Sequence, residues 1–248
     1  MLPLINKRGK VFSATGLVLG SIIPDFEAFI RLDVHKLYSH TWLGIFWFNL
    51  PLAVLVSFLF HSIVRDPLIA NLPLPLHQRF SKYMGFNWAD YFRSHMWVVL
   101  FSLLIGIASH MLWDAFTHLN LVYPNAVDSK IYITRGFRLF RVRLYKLLQY
   151  SNSIIGLYFV VLHVLKMPKT EPEKVVTPKM IFVIDHHKQQ EVSKINYWVS
   201  VAVLTIIAIT LFVGIHLHHL DIILLIYIVI SSFLLSLILT PLYRLLVR

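Results

Sequence analysis

The sequence contains no cysteine and few charged residues, and each shortage narrows the class of protein. Without cysteine, no disulfide and no thiolate metal site can form, so histidine, aspartate or glutamate would have to hold any metal ion. Charged residues make up 14% of the chain, whereas soluble domains carry roughly 25%. Hydrophobic residues make up 57%. We therefore predict an integral membrane protein.

The few charged residues are mostly basic, with 23 lysines and arginines against 12 acidic residues. They are scattered between apolar segments rather than collected in one soluble basic module, which argues against a nucleic-acid partner. In membrane proteins such an excess lies in loops that face anionic headgroups. Membrane lipids are therefore the expected partners, and the chain shows no internal repeat.

Long apolar runs separated by polar loops predict an all-α, polytopic helical bundle of about six spans. The first run, 11–30, is interrupted by glycines and by Pro24, and too few residues precede Pro24 to reach the roughly 20 of a membrane-spanning helix. If this run is re-entrant, five spans remain. The five clear spans are residues 40–63, 95–118, 144–165, 197–215 and 222–239.

The spans predict a single transmembrane domain over residues 1–248. Its expected parts are a metal-site half, residues 1–156, a basic linker, residues 166–195, and a helical hairpin, residues 196–248. With six spans, the positive-inside rule places both termini in the cytoplasm, and the expected location is a bacterial inner membrane. With five spans, the basic residues divide almost evenly between the two sides and the rule no longer selects an orientation.

A polar stripe interrupts the second clear span, residues 95–118, at its end. His110, Asp114 and His118 follow one another at intervals of four, and at about 100° per residue they share one face of a helix. Polar groups in such a place are costly unless they pair, reach water or bind metal. The stripe therefore predicts a functional site.

Other polar residues are predicted to reach the same side of the membrane as the stripe. Asp25 and Glu27 lie near the end of the first apolar run, and His40 begins the next. Alternating passage of the spans puts them at one membrane face with His110, whether or not the first run fully crosses. Randomly placed polar residues would divide between the two faces, so we predict one site.

The residue types at this face suit a divalent metal. Imidazole nitrogens and carboxylate oxygens bind zinc, and also iron or manganese. Such a metal would supply hydrolytic chemistry, with Glu27 or His118 as the candidate catalytic group. Arg135, Arg138 and Arg141 are candidates for binding an anionic substrate. The simpler alternatives remain open: an interfacial carboxylate for Glu27, and a lipid-phosphate anchor for the arginines.

Three motifs resemble a known family. The stretch 20–29 with its Pro-Asp pair, the pair Ser39-His40 and the stretch 109–118 resemble an uncharacterised bacterial polytopic membrane family, domain-of-unknown-function family 4184. They are similar, more distantly, to the membrane-bound metal-dependent hydrolases. The resemblance implies a metal set of Asp25, His40, His110 and Asp114, with His118 as a fifth member. Residues 148–156 resemble a further family segment, in which histidine is commoner than the Tyr150 of this chain, so Tyr150 is left out.

We predict a metal-dependent hydrolase that acts on an amphiphilic, phospholipid-like substrate. One alternative is an ion- or proton-coupled transporter that uses the same histidine and aspartate cluster. Transporters often show polar interruptions at mid-bilayer and repeats, whereas here the polar residues gather at one face, which favours the enzyme. Another alternative is a non-catalytic membrane protein with a structural metal.

Overall fold

The computed structural model describes residues 11–33, 35–117, 130–135, 138–170 and 180–246, and these are predominantly helical. We number the elements in chain order. They are α1 (Ala14–Ile22), α2 (Phe26–Arg31), α3 (Trp42–Ala70), α4 (Leu74–Phe80), α5 (Trp88–Ser94), α6 (Met96–Thr117), β1 (Lys130–Arg135), β2 (Arg138–Arg143), α7 (Leu144–Lys166), α8 (Met180–His216) and α9 (Ile222–Leu246).

Within the described residues, five helices are long and apolar enough to cross a membrane. They lie in α3, α6, α7, α8 and α9, the same five apolar segments that the sequence marks. This confirms the all-α polytopic bundle and indicates an integral membrane protein. Both termini lie on one side only if a sixth segment crosses, so the cytoplasmic placement of the termini stays a prediction.

The first apolar run is not a continuous spanning helix. Helix α1 covers nine residues, Ala14–Ile22, and is capped by Ser13, whose hydroxyl accepts the N–H of Gly16. A 3₁₀ turn, Ile23–Asp25, follows it where Pro24 lacks a backbone donor. Helix α2 then adds six residues and ends at Leu32, which has a positive φ of 51°. The chain therefore takes the five-span alternative among the segments that the structure describes.

Contacts divide the chain into two compact units that interleave in the sequence. One unit comprises residues 1–24 and 97–167, and in it α1 packs against α6. The other comprises residues 25–96 and 168–248. The second unit has a core in which Val64, from α3, packs with Tyr197, Val201 and Leu237, from α8 and α9.

Polar contacts also hold the second unit together. A 2.8 Å hydrogen bond joins the hydroxyls of Thr205 on α8 and Ser236 on α9. The hydroxyl of Ser231 donates to the carbonyl of Phe29 in α2 at 2.7 Å. Small hydroxyl side chains of this kind allow close helix contact and hydrogen bonding within a membrane. Helix α2, which carries Glu27, is thereby fixed to a spanning helix.

Two connecting segments contain regular structure that the sequence did not indicate. The segment between the predicted spans 95–118 and 144–165 contains an antiparallel β-hairpin, with Lys130 opposite Arg143 and Arg135 opposite Arg138. Residues 131–134 of β1 are Ile-Tyr-Ile-Thr, β-branched and aromatic residues of the kind that strands favour. The basic linker expected over residues 166–195 is helical from Met180 onward. Helix α8 therefore begins well before the apolar span that starts at residue 197.

Candidate metal centre

The polar stripe of α6 forms one part of the candidate site. Nε2 of His110 lies 3.2 Å from Oδ2 of Asp114, one helical turn further on. Nδ1 of His110 donates a 2.8 Å hydrogen bond to the carbonyl oxygen of Ser21 in α1. A carbonyl can only accept, so the proton of a neutral His110 is on Nδ1 and the lone pair is on Nε2. This is the tautomer that a metal-ligating histidine needs.

Two glycines allow α1 to approach α6 closely enough for this contact. A Cβ atom added at Gly20 would lie 2.3 Å from the carbonyl oxygen of Leu103. One added at Gly106 would lie 2.6 Å from the carbonyl oxygen of Leu17. Side chains at either position would push the two backbones apart. Gly20 in the first apolar run and Gly106 in α6 therefore serve helix packing, and together they hold Ser21 against His110.

Asp25 and His40 are joined through a residue that the sequence analysis did not single out. The Lys36 ammonium donates to Oδ1 of Asp25 and lies 3.2 Å from Nε2 of His40. Nδ1 of His40 lies 2.9 Å from the hydroxyl of Ser39. Lysine has no acceptor, so Nε2 of His40 accepts from Lys36 and Nδ1 donates to Ser39. His40 thus has the same tautomer as His110.

Glu27 organises the backbone that precedes His40. Its carboxylate is fully buried and accepts N–H bonds from Leu37 at 2.8 Å, from Tyr38 at 3.0 Å and from Ser39 at 2.7 Å. Arg31 contacts the same carboxylate at 3.1 Å. Burial alone would raise the pKa of Glu27, but these N–H donors and the Ser39 hydroxyl stabilise the anion and lower its pKa to about 2. The contacts favour a positioning role over the predicted catalytic one.

The loop is also fixed from α3. Asn49 is fully buried, and its side-chain amide donates a 2.6 Å hydrogen bond to the carbonyl oxygen of Ser39. Asn49 ends a π-helical turn, Ile45–Asn49, and Pro51 follows shortly after it. Single π turns within α-helices often occur at functional sites. Ser39 is therefore held through its N–H by Glu27 and through its carbonyl by Asn49, which fixes the residue before His40.

Four of the five predicted metal residues form a group. Asp25, His40, His110 and Asp114 each offer one ligand atom, and these atoms all lie within 4.8 Å of one another. Ligands arranged tetrahedrally on one zinc ion lie roughly 3.4 Å apart, so modest side-chain rotations suffice to reach that spacing. Two imidazoles and two carboxylates are a donor set that zinc, iron and manganese accept. The residues fit a divalent metal.

The other predicted site residues are His118 and three arginines. His118 lies outside the described residues. Arg138 and Arg141 lie on β2, where they pair with Arg135 and Tyr132 of β1. Lys36 was missed because the sequence shows it only as one charge in a polar loop. Its spacing of four from His40 was the one available signal, and that spacing has a fixed geometric meaning only in a helix.

Comparison with known proteins identifies a family but not an activity. Residues 1–242 match the family described as "Domain of unknown function (DUF4184)". No curated protein and no solved structure matches the chain. The distant similarity to metal-dependent hydrolases stays a prediction.

Proposed function

The chain belongs to the DUF4184 family, and we propose that it is a membrane-embedded, metal-dependent hydrolase. The proposed metal ligands are Asp25, His40, His110 and Asp114. The observation that carries the proposal is the grouping of their four ligand atoms within 4.8 Å. Zinc suits this donor set best, and iron or manganese would also be accepted.

The histidine tautomers support metal binding over an incidental polar cluster. Both proposed histidine ligands carry their ring proton on Nδ1, where Ser21 or Ser39 accepts it. Their Nε2 lone pairs are thereby directed away from those partners. Metal-ligating histidines almost always donate the other ring N–H to a carbonyl, carboxylate or water, which fixes the ring orientation. An interfacial histidine satisfied by water does not need this arrangement.

The chemistry proposed for the site is hydrolysis of an ester. A divalent metal bound there would polarise a carbonyl or phosphoryl oxygen and lower the pKa of a bound water. The chain itself fixes the ligands: Ser21 orients His110, and the buried Glu27 fixes the backbone up to Ser39. Asp114 lies beside Nε2 of His110 and is buried, at 8% exposure, so it is held in a water-poor place where its charge is best stabilised by a cation.

The proposed substrate is an amphiphile that reaches the site from the membrane. The candidate ligands His110 and Asp114 lie at the end of the apolar span of α6, a depth at which a lipid ester group would be accessible. We further propose that Arg135, Arg138 and Arg141 bind an anionic group of such a substrate, and that His118 assists as a fifth ligand or as an acid–base group. A bacterial inner membrane is the proposed location.

Metal analysis tests the site. Protein purified in detergent should carry about one zinc, iron or manganese ion per chain, and the paired variant His110→Ala with Asp114→Ala should carry almost none. His163→Ala, on α7, is the matched control and should keep its metal. Metal that survives in the paired variant, or wild-type protein that binds no metal, would contradict the proposal.

Hydrolysis of labelled phospholipid in mixed micelles tests the reaction separately from the site. We expect product release by metal-loaded wild-type protein and its loss in the paired variant. Equal rates for the two proteins would reject the proposed hydrolase activity but would not contradict the proposed metal site. The transporter alternative would then be tested by ion uptake into vesicles that contain the protein, and the structural alternative by thermal unfolding with and without metal.

A further inference from the structure

The side chain of Lys36 lies between two of the proposed metal ligands. Its ammonium donates to Oδ1 of Asp25 and lies 3.2 Å from Nε2 of His40. The side chain is only 20% exposed, whereas that of Asp25 is 46% exposed. Lys36 is therefore a largely enclosed cation, and both its described partners are residues that the metal would use.

Lys36 and a metal ion need the same lone pair. A neutral imidazole has one protonated and one unprotonated ring nitrogen. In His40, Nδ1 is taken by the hydroxyl of Ser39 at 2.9 Å, so Nε2 is the nitrogen that accepts from Lys36. A single lone pair cannot bind an N–H donor and a metal ion together. The Asp25 carboxylate has room for several donors, so the exclusion operates at His40.

Electrostatic repulsion adds to this exclusion. An ammonium and a divalent cation that share the same two ligands would lie within a few ångströms of each other. At such distances two like charges repel strongly even in a moderately polar surrounding. The flexible four-carbon stem of lysine allows the ammonium to swing away without movement of the backbone.

We propose that Lys36 is a displaceable counter-ion, which holds Asp25 and His40 in place and leaves Nε2 of His40 when a metal binds. The released ammonium moves away from the metal on its flexible stem and is then available to bind an anionic group, such as the phosphate of a phospholipid. This inference rests on the proposed metal site. It adds an interaction that lowers metal affinity and links metal binding to substrate binding.

Metal affinity at one fixed pH tests the competition. Zinc binding, measured against a chelating dye, should be at least roughly tenfold tighter in Lys36→Met than in wild-type protein, because both the competing donor and the repulsion are removed. Lys82→Met is the matched control, since Lys82 is exposed and its ammonium lies 4.9 Å from the ring centre of Tyr83, which is not one of the proposed ligands. Its zinc affinity should equal that of wild type. Unchanged or weaker zinc binding by Lys36→Met would overturn the inference.

Amine labelling of wild-type protein tests the release without any variant. Acetylation by a succinimidyl ester, mapped by mass spectrometry, should modify Lys36 several-fold faster after zinc is added, while Lys82 should not change. Slower or equal labelling of Lys36 would overturn the inference. Absence of zinc binding by both wild-type protein and Lys36→Met would instead reject the proposed metal site, so the two failures can be told apart.

Discussion

The carboxylate of Glu27 accepts a 2.7 Å hydrogen bond from the backbone N–H of Ser39, the residue directly before the proposed ligand His40. Twelve residues separate the two along the chain, and both are fully buried. A buried anion that receives several N–H donors fixes a loop far more firmly than an exposed turn does. The position of His40 therefore depends on Glu27 through the backbone of Ser39.

Replacement of Glu27 should destabilise the protein and loosen the site. In Glu27→Gln one acceptor oxygen becomes an NH₂ group that faces the backbone donors, so we expect a loss of roughly 2–3 kcal/mol of stability. Thermal unfolding in detergent measures it. Asp90→Asn, an exposed carboxylate at 68% side-chain exposure, is the control and should change little. A melting temperature equal to that of wild type would show that Glu27 does not hold the loop.

The lowered pKa of Glu27 predicts a particular dependence of stability on pH. Its pKa of about 2 lies below the ordinary 4.5, so the unfolded chain binds a proton more readily. The stabilisation is fully present above pH 4.5 and is lost as the pH falls towards 2. The difference in melting temperature between wild type and Glu27→Gln should therefore shrink between about pH 5 and pH 3. A difference that grows in acid would contradict the assigned direction.

The hydroxyl of Ser39 should tune metal affinity through His40. In Ser39→Ala, Nδ1 of His40 loses its acceptor, so we expect metal binding to weaken by roughly 10- to 100-fold. Ser21→Ala is a sharp control, because His110 uses the backbone carbonyl of Ser21 while the hydroxyl bonds within its own helix. Competition for zinc between each variant and a chelating dye measures the two zinc affinities. Similar affinities in the two variants would reject the role given to the Ser39 hydroxyl.

A bulky residue at Gly20 should separate α1 from α6. In Gly20→Leu the new side chain would meet the backbone of Leu103, so we expect a loss of roughly 1–3 kcal/mol or more. Metal binding should weaken as well, because Ser21 moves away from His110. Gly156→Leu is the matched control, since an added Cβ there meets nothing within 4 Å. Equal stability in the two variants would show that α1 and α6 do not need this close contact.

Much of the fold could be predicted because hydropathy acts locally. A spanning helix needs a run of apolar side chains, and five such runs correspond to α3, α6, α7, α8 and α9. The start of α8 at Met180 and the β-hairpin were missed, since polar segments carry no such signal. The interruption of the first apolar run by Pro24 was visible in the sequence. That the run folds as one helix, a 3₁₀ turn and a second helix depends on tertiary packing.

The sequence by itself determined a membrane protein without thiol chemistry and the residue types of a candidate metal site. Spacing of four placed His110 and Asp114 on one helix face, because helical periodicity is fixed by backbone geometry. Only the tertiary structure decided the neighbours of each ligand: the Ser21 carbonyl at His110, and Lys36 and Ser39 at His40. Such partners come from chain reversal and close helix approach, and a hydrogen bond between them depends on tenths of an ångström that no local pattern encodes.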